Sequence, residues 1–201
     1  MISLGLTGGY ATGKSTVAGI LRSLGARVVE ADKLAHAAME RDQPAWREVV
    51  AVFGPGVLRP DGEIDRAALG RIVFARPELR RRLEEIVHPR VIAAIRAARE
   101  EARLAGERVF VAEVPLLYEA GLEGEFDRIW VVSADPGRQR MMALARDGLS
   151  ESDLAARLAA QMPLAEKERR AHLVIRNDGD LEELRRRVVE AWEALLREHA
   201  P

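Results

Sequence analysis

Cysteine is absent from the 201 residues of the chain. Disulfide bonds, thiolate metal sites and cysteine nucleophiles are therefore excluded. Long apolar runs are missing too, because a stretch such as VFVAEVPLLY at residues 109–118 is well short of a membrane span. The first residues do not show a basic stretch leading into a cleavable apolar one, so we expect an unprocessed cytoplasmic protein without a membrane partner.

An excess of basic charge is also missing. The chain has 31 Lys and Arg against 32 Asp and Glu, for a formal net charge of -1. Proteins that bind nucleic-acid backbones normally show a clear basic excess, so we expect no nucleic-acid partner. Only three of the basic residues are lysines, Lys14, Lys33 and Lys167. Hydrophobic residues at 48% and charged residues at 31% fit one compact domain of this length.

Short apolar segments alternate with helical patterns along the chain. Strands are predicted at residues 2–6, 27–32, 108–114, 127–132 and 172–177, and helices at 14–24, over most of 33–104, at 135–146 and at 181–198. This alternation predicts a parallel sheet covered by helices on both faces. Inside the long helical region, residues 54–65 interrupt the pattern, and Pro89 should end or kink a helix.

The first strand leads into a glycine-rich loop. Gly8, Gly13, Lys14 and Ser15 satisfy G-x-x-x-x-G-K-[ST], with a predicted strand before and a predicted helix after. Glycines let successive backbone N–H groups point at one anion, and the helix N-terminus adds its positive dipole end. Lys14 would reach the terminal phosphates and the Ser15 hydroxyl would help to hold Mg²⁺. The sequence therefore predicts a cradle for a nucleoside triphosphate with Mg²⁺, rather than a glycine turn that only caps a helix.

Two further observations favour a small kinase. A GTPase would need D-x-x-G and N-K-x-D strings, and neither occurs; a translocating ATPase would need an Asp at a strand end, where the nearest candidate is Glu113. Asp32 follows the second predicted strand, so it should emerge at the same sheet edge as the glycine loop. A carboxylate there can accept the proton of an attacking hydroxyl. The alternative role for Asp32 is the N-cap of a helix that begins near Lys33.

Several strings, taken in order, resemble the dephospho-CoA kinase family over nearly the whole chain. The matching strings are GLTGGYATGKSTV (5–17), EAD (30–32), FG (53–54), HP (88–89), VPLLYE (114–119), RDGLS (146–150), RLAAQ (157–161) and IRNDGDLEEL (175–184). The glycine loop is common to many kinases, whereas EAD, HP, PLLYE and RDGLS in this order are more specific. The resemblance implies phosphorylation by ATP of the ribose 3′-hydroxyl of dephospho-CoA, the final step of coenzyme A synthesis.

The resemblance also implies a fold and a division of the chain. The expected fold class is α/β, a three-layer P-loop NTPase type with a parallel five-stranded sheet, a helical acceptor-binding insertion and a helical lid. The single domain would comprise a nucleotide-binding core (1–33, 106–145 and 171–201), the insertion (34–105) and the lid (146–170). The expected partners are the small molecules ATP and dephospho-CoA, and the expected state is a monomer or small homo-oligomer.

Residue roles carry over by the same resemblance. Asp32 matches the general base, and Lys14 and Arg146 complete the catalytic group. The predicted nucleotide contacts are Gly8, Gly9, Ala11, Thr12, Gly13, Lys14, Ser15, Thr16, Arg146 and Asn177, with Ser15 as the metal ligand. The predicted acceptor contacts are Asp32, Arg66, His88, Pro115, Leu116, Leu117, Glu119 and Arg157. Some have simpler alternatives: a satisfied hydrogen bond for His88, a surface salt bridge for Arg157, and packing for the residues at 115–117.

The chain departs from the family pattern inside the loop, where Tyr10 replaces an aliphatic residue and Ala11 replaces a glycine. Ala11 would be strained if its φ were positive. Glu113 is a further departure, and it could order magnesium-bound water or pair with an arginine. Two other functions stay open: a kinase for another nucleotide, nucleoside or sugar acid, and a nucleotide-binding regulator that transfers no phosphate. A panel of acceptors would separate them.

Overall fold

The computed structural model describes residues 1–147 and 150–199. The strands are β1 (Ile2–Gly8), β2 (Arg27–Glu30), β3 (Val109–Glu113), β4 (Arg128–Ser133) and β5 (Leu173–Arg176). The helices are α1 (Lys14–Ser23), α2 (Ala31–Ala38), α3 (Pro44–Phe53), α4 (Arg66–Ala75), α5 (Pro77–Leu104), α6 (Pro136–Asp147), α7 (Glu151–Ala159), α8 (Leu164–Arg170) and α9 (Leu181–Glu198). The predicted alternation of strands and helices is confirmed.

The strands form one parallel sheet in the order β2-β3-β1-β4-β5. β1 lies at the centre, with Leu4 opposite Val111 of β3 and Leu6 opposite Trp130 of β4. All seven residues of β1 are buried, because the strand has a neighbour on each side and is covered on each face. The chain therefore leaves the sheet at the end of β1 between the ends of two other strands, where the glycine loop begins.

Side chains on one face of the sheet pack against α1 and α9. Alternate residues of β1 point to this face, and Leu4 and Leu6 meet helix residues such as Leu21 and Trp192 in one apolar cluster. Val17 and Leu21 of α1 are four residues apart, so both lie on the buried side of that helix. This packing anchors α1, the helix that follows the glycine loop, directly on the central strand.

The chain divides into two compact units. The first comprises Met1–Val29 and Glu101–Pro201 and holds almost the whole sheet. The second, Glu30–Glu100, is helical apart from a short antiparallel bridge between Leu58 and Ile64, and the Trp46 indole N–H donates to the Gly62 carbonyl at 3.0 Å. In the described part of the chain, no helix combines the length and the apolar character needed to cross a membrane.

Helix α5 does not end at Pro89, as the sequence suggested it could. The helix runs unbroken from Pro77 to Leu104, with Pro89 in its interior. A proline crowds the preceding turn and weakens its carbonyl bonding. Here the Arg90 guanidinium donates a hydrogen bond to the Ile86 carbonyl and also pairs with Glu48 at 2.6 Å. A side chain thus satisfies a carbonyl at the turn that the proline disturbs.

Replacing Pro89 by alanine should stabilise the protein. Pro89 is exposed, so little packing is lost, and the regained helical hydrogen bond outweighs the greater freedom of the unfolded chain. We expect a net gain of about 1–2 kcal/mol, since proline in a helix interior costs about 3 kcal/mol relative to alanine. Urea unfolding measures this free energy. Pro77→Ala is the matched control, because a proline in the first turn is tolerated and its removal should give no gain; equal effects of the two changes would contradict the argument.

Candidate active site

The glycine loop between β1 and α1 is tightly fitted to its surroundings. Gly13 precedes α1 with φ of 91°, in the left-handed region, and a Cβ there would lie 2.4 Å from Nδ2 of Asn177. A Cβ on Gly8 would lie 2.2 Å from the carbonyl oxygen of Val132. Both distances are far below van der Waals contact, so any side chain would force the loop away from the sheet. The two glycines of the motif are therefore required by packing as well as by backbone conformation.

Ala11 lies in the left-handed region with φ of 55°. Its φ is therefore positive, the conformation in which strain was expected, and this strain costs about 1–2 kcal/mol for a residue with a Cβ. The methyl group is buried, however, in a small apolar cluster with Ala143 of α6 and Leu154 of α7. Apolar contact of the Ala11 methyl group with these two helices therefore offsets part of the backbone strain.

Polar contacts hold the loop in shape. The Lys14 ammonium donates to the Gly9 carbonyl at 2.6 Å, and the Thr12 hydroxyl donates to the same oxygen at 3.0 Å. The buried Asn177 amide donates to the Thr12 carbonyl at 2.9 Å. Asn177 therefore supports the loop from the side of the sheet, and its contact with the nucleotide stays a prediction. Lys14 arches over the loop that it follows in sequence, which is the place where phosphate groups would lie.

The Ser15 hydroxyl and the Glu113 carboxylate lie together beside the loop, and both carry oxygen atoms of the kind that bind metal ions. The Ser15 hydroxyl donates to Oε1 of Glu113 at 2.9 Å, and Glu113 is 7% exposed at the end of β3. Across the described residues no group of three or more His, Asp or Glu side chains forms a metal cage. Mg²⁺ in nucleotide sites commonly keeps several waters and uses one or two protein oxygens plus substrate phosphates. A hydroxyl and a carboxylate at this spacing fit such a site.

Asp32 lies in a helix rather than in a loop after the strand. β2 ends at Glu30 and α2 begins at Ala31, so Asp32 falls in the first turn of α2. Its proposed role as N-cap is wrong, because the N-cap position is occupied by Glu30 and makes no side-chain capping bond. A carboxylate in the first turn is still favoured by the helix dipole. The side chain is exposed, so it is open to a ligand.

Arg66 and His36 are two other ionisable residues of the second unit, and the charges of Arg66 and Asp32 both act on His36. Arg66 is the first residue of α4, whose N-terminus is capped by Asp65 through a 2.9 Å bond from the Ala68 N–H. Partial burial and the Arg66 guanidinium lower the pKa of His36 below its ordinary value, and Asp32 opposes them. His36 is therefore neutral near pH 7, and it leaves the Asp32 carboxylate without a cationic imidazole one turn away.

Lys167 is fully buried, and the sequence did not single it out. Its ammonium pairs with Glu119 at 2.8 Å and donates to the Pro115 carbonyl at 3.1 Å, with Gly8 O at 3.5 Å. Glu119 also accepts a bond from the Met162 N–H at 2.8 Å. Helix α8 is thereby tied to the segment at 115–119 and to the start of the glycine loop. The available signal was the scarcity of lysine in a chain that otherwise uses arginine.

The remaining predicted contacts lie in different settings. Leu117 is fully buried, which favours the packing alternative, while Pro115 and Leu116 are half-buried. His88 is half-buried within α5, and Arg157 is exposed on α7. The side chain of Arg146, as well as residues 148 and 149 of the RDGLS string, lies outside the described part of the protein. The proposed role of Arg146 thus stays a prediction from the sequence.

Comparisons with known proteins all point to one family. A family model described as dephospho-CoA kinase matches residues 2–183. A dephospho-CoA kinase of Symbiobacterium thermophilum is 49% identical over 191 residues, which cover 95% of this chain and 80% of that protein. A crystal structure from Thermus thermophilus has a TM-score of 0.82 and 38% identity, covering 100% of this chain and 98% of that one. The dephospho-CoA kinase of Campylobacter jejuni has a TM-score of 0.73 and 28% identity, with 98% of each chain covered.

Removing the buried ammonium group should destabilise the protein strongly. Lys167→Met keeps the length of the side chain but leaves the Glu119 carboxylate and the Pro115 carbonyl without their shared donor. Glu119 is partly exposed and keeps its bond from the Met162 N–H, so the loss is mainly that of the charge-assisted hydrogen bonds of the ammonium, about 1.5–3 kcal/mol. Urea unfolding would show this loss as a lower midpoint.

Lys33→Met is the matched control for this measurement. Lys33 also pairs with a glutamate, Glu30, at 2.9 Å, but the lysine side chain is 74% exposed. An exposed pair contributes at most about 1 kcal/mol. If the two lysine variants lost similar stability, the anchoring role of Lys167 would be untenable.

Proposed function

The chain belongs to the dephospho-CoA kinase family, and we propose on that premise how its residues transfer the γ-phosphoryl group of ATP to dephospho-CoA. The acceptor atom is the ribose 3′-hydroxyl, and the products are coenzyme A and ADP, so the reaction completes coenzyme A synthesis. The observation that carries the function is the match to the family over residues 2–183, supported by a glycine loop whose shape is held by bonds from Lys14 and Asn177. We further propose a cytoplasmic location and a monomer or small homo-oligomer.

The glycine loop and Lys14 would bind the phosphates of ATP. Loop N–H groups and the N-terminus of α1 offer partial positive charge, and the Lys14 ammonium can exchange the Gly9 carbonyl for phosphate oxygens. Phosphoryl transfer spreads negative charge over the equatorial oxygens in the transition state, so donors fixed in advance stabilise it without reorganisation. The bonds from Asn177 and Thr12 that hold the loop support this role.

Mg²⁺ would be held by the Ser15 hydroxyl as ligand and by Glu113 through a coordinated water. When bound, the ion neutralises charge on the β- and γ-phosphates. The 2.9 Å contact between Ser15 and Glu113 keeps both oxygens at the start of α1. Glu113 supplies the acidic strand end that is typical of nucleoside triphosphate sites, with one methylene more than aspartate.

The second unit carries the residues proposed for the acceptor. Asp32 would accept the proton of the 3′-hydroxyl as that oxygen attacks phosphorus. A cavity of about 480 Å³ in this unit is lined by Arg59, Arg66, Glu63 and Met39, among others. Guanidinium groups bind phosphate oxygens with good geometry, and dephospho-CoA contains a diphosphate linkage, so the arginines support a place for part of the acceptor here. The His88 contact is proposed from the resemblance alone.

An acceptor panel tests the function directly. ADP release with ATP and Mg²⁺ would be measured for dephospho-CoA, adenosine, AMP and gluconate, and the product identified by mass. We expect phosphorylated dephospho-CoA as the only strong product. Activity confined to another acceptor would be compatible with the proposed phosphate cradle but would show that dephospho-CoA is not the acceptor. Tight ATP binding without transfer to any acceptor would favour a nucleotide-binding regulator.

Asp32→Asn tests the proposed base. The amide cannot accept the proton, so kcat should fall by about 10²-fold or more, with the affinity for ATP little changed. Initial rates at saturating dephospho-CoA and an ATP titration give the two quantities. Asp42→Asn makes the same charge change at an exposed position of the same unit and should leave kcat near normal. A loss of thermal stability without a fall in kcat would show that Asp32 only stabilises the first turn of α2 and is not the base.

A further inference from the structure

Tyr10, an outer residue of the glycine loop, contacts an arginine of α7. The Tyr10 hydroxyl accepts a hydrogen bond from Nη1 of Arg157 at 2.9 Å. The guanidinium carbon also lies 5.3 Å from the centre of the tyrosine ring, within the range of a cation–π contact. The two residues are 147 positions apart in the sequence, so this contact depends on the folded arrangement of α7 beside the loop.

Tyr10 is itself held in place from two sides. The nearly buried side chain of Gln139 on α6 donates to the Tyr10 carbonyl at 2.7 Å. Tyr10 also packs on the apolar cluster that joins Ala11 to Ala143 and Leu154. Its hydroxyl is therefore presented from a fixed piece of backbone, so it can set the position of a flexible arginine.

The chemistry of this contact leaves the arginine charged. Among the described residues Arg157 forms no ion pair with a carboxylate, so the surface salt bridge considered for it from the sequence is not seen. By contrast, Arg140 on α6 is paired with Glu151 of α7 at 2.5 Å, which neutralises it. A phenol hydroxyl and an aromatic ring hold a guanidinium without cancelling its charge. Arg157 is thus fixed in position and still available to an anion.

We propose that Tyr10 is a positioning residue, which holds the Arg157 guanidinium beside the glycine loop for the phosphates of the bound nucleotide, rather than for the acceptor that was expected as its ligand from the sequence. The inference rests on the proposed function for the identity of the anion. An aliphatic residue at position 10 has neither an acceptor oxygen nor an aromatic face. The tyrosine therefore gives this chain a direct side-chain link between the loop and the arginine, and the order of the arginine before binding lowers the entropy lost when phosphate arrives.

A double-mutant cycle tests the link, because a residue that acts through Arg157 has no effect once Arg157 is gone. Tyr10→Phe removes only the hydroxyl. We expect kcat/KM for ATP to fall by about 5- to 10-fold, the loss of one solvent-exposed hydrogen bond, with an unchanged thermal midpoint. In the Arg157→Ala background the same change should alter kcat/KM by less than about 2-fold. Arg157→Lys, which keeps a charged donor, should retain part of the effect of Tyr10→Phe.

The control replaces the arginine on the neighbouring helix. In the Arg140→Ala background Tyr10→Phe should keep its full effect, since Arg140 is paired with Glu151 and not with Tyr10. Equal losses from Tyr10→Phe in the wild-type and Arg157→Ala backgrounds would overturn the proposal, as would no loss in either. Calorimetric titration with ATP in the absence of acceptor measures the ATP affinity of each variant, so the double-mutant cycle can also be calculated from affinities. That readout still decides the Tyr10 link if no transfer to dephospho-CoA occurs, which would reject only the proposed function.

Discussion

The close packing of the glycine loop on the carboxyl end of the sheet is the constraint on which the rest of the site depends. Gly8 abuts the Val132 carbonyl and Gly13 abuts Asn177, with no space for a Cβ at either position. The same contacts place the loop N–H groups and the start of α1 over the ends of β1 and β3. Ser15 consequently meets Glu113, and Lys14 folds back over the loop. The proposed phosphate site would therefore depend first on backbone geometry, with the charged side chains added to it.

Helices α7 and α8 are tied to this loop by two different kinds of contact. Lys167 of α8 is buried and neutralised by Glu119, which suits a permanent anchor, since a buried charge that loses its partner is costly. Arg157 of α7 is exposed and held by the uncharged Tyr10, which suits a group that must change partners. Lys167, whose charge is neutralised, thus lies where the structure should stay fixed. Arg157, which has no carboxylate partner among the described residues, lies where a ligand is expected.

Local patterns in the sequence were sufficient for the sheet, the glycine loop and the order of the helices, because each depends on periodicity or on a short motif. Longer-range features were not accessible in this way. Pro89 was expected to end or kink its helix; the helix does not end there, and the Arg90 side chain satisfies a carbonyl at that turn. The burial of Lys167 and the contact of Tyr10 with Arg157 join residues that are far apart in the sequence. Such pairs depend on tertiary packing, which no local pattern reports.

The position of Glu113 has a consequence for the form of nucleotide that the site can accept. Its carboxylate is almost fully buried, and it contacts the first residue after Lys14. Phosphates in the loop would therefore approach this carboxylate in a region of low dielectric, where repulsion from its ionised form is strong. A bound divalent cation would offset that repulsion, and Glu113 would then help to hold the ion. Under the proposed magnesium role, nucleotide and metal must then stabilise each other's binding, because each supplies the charge that the other needs.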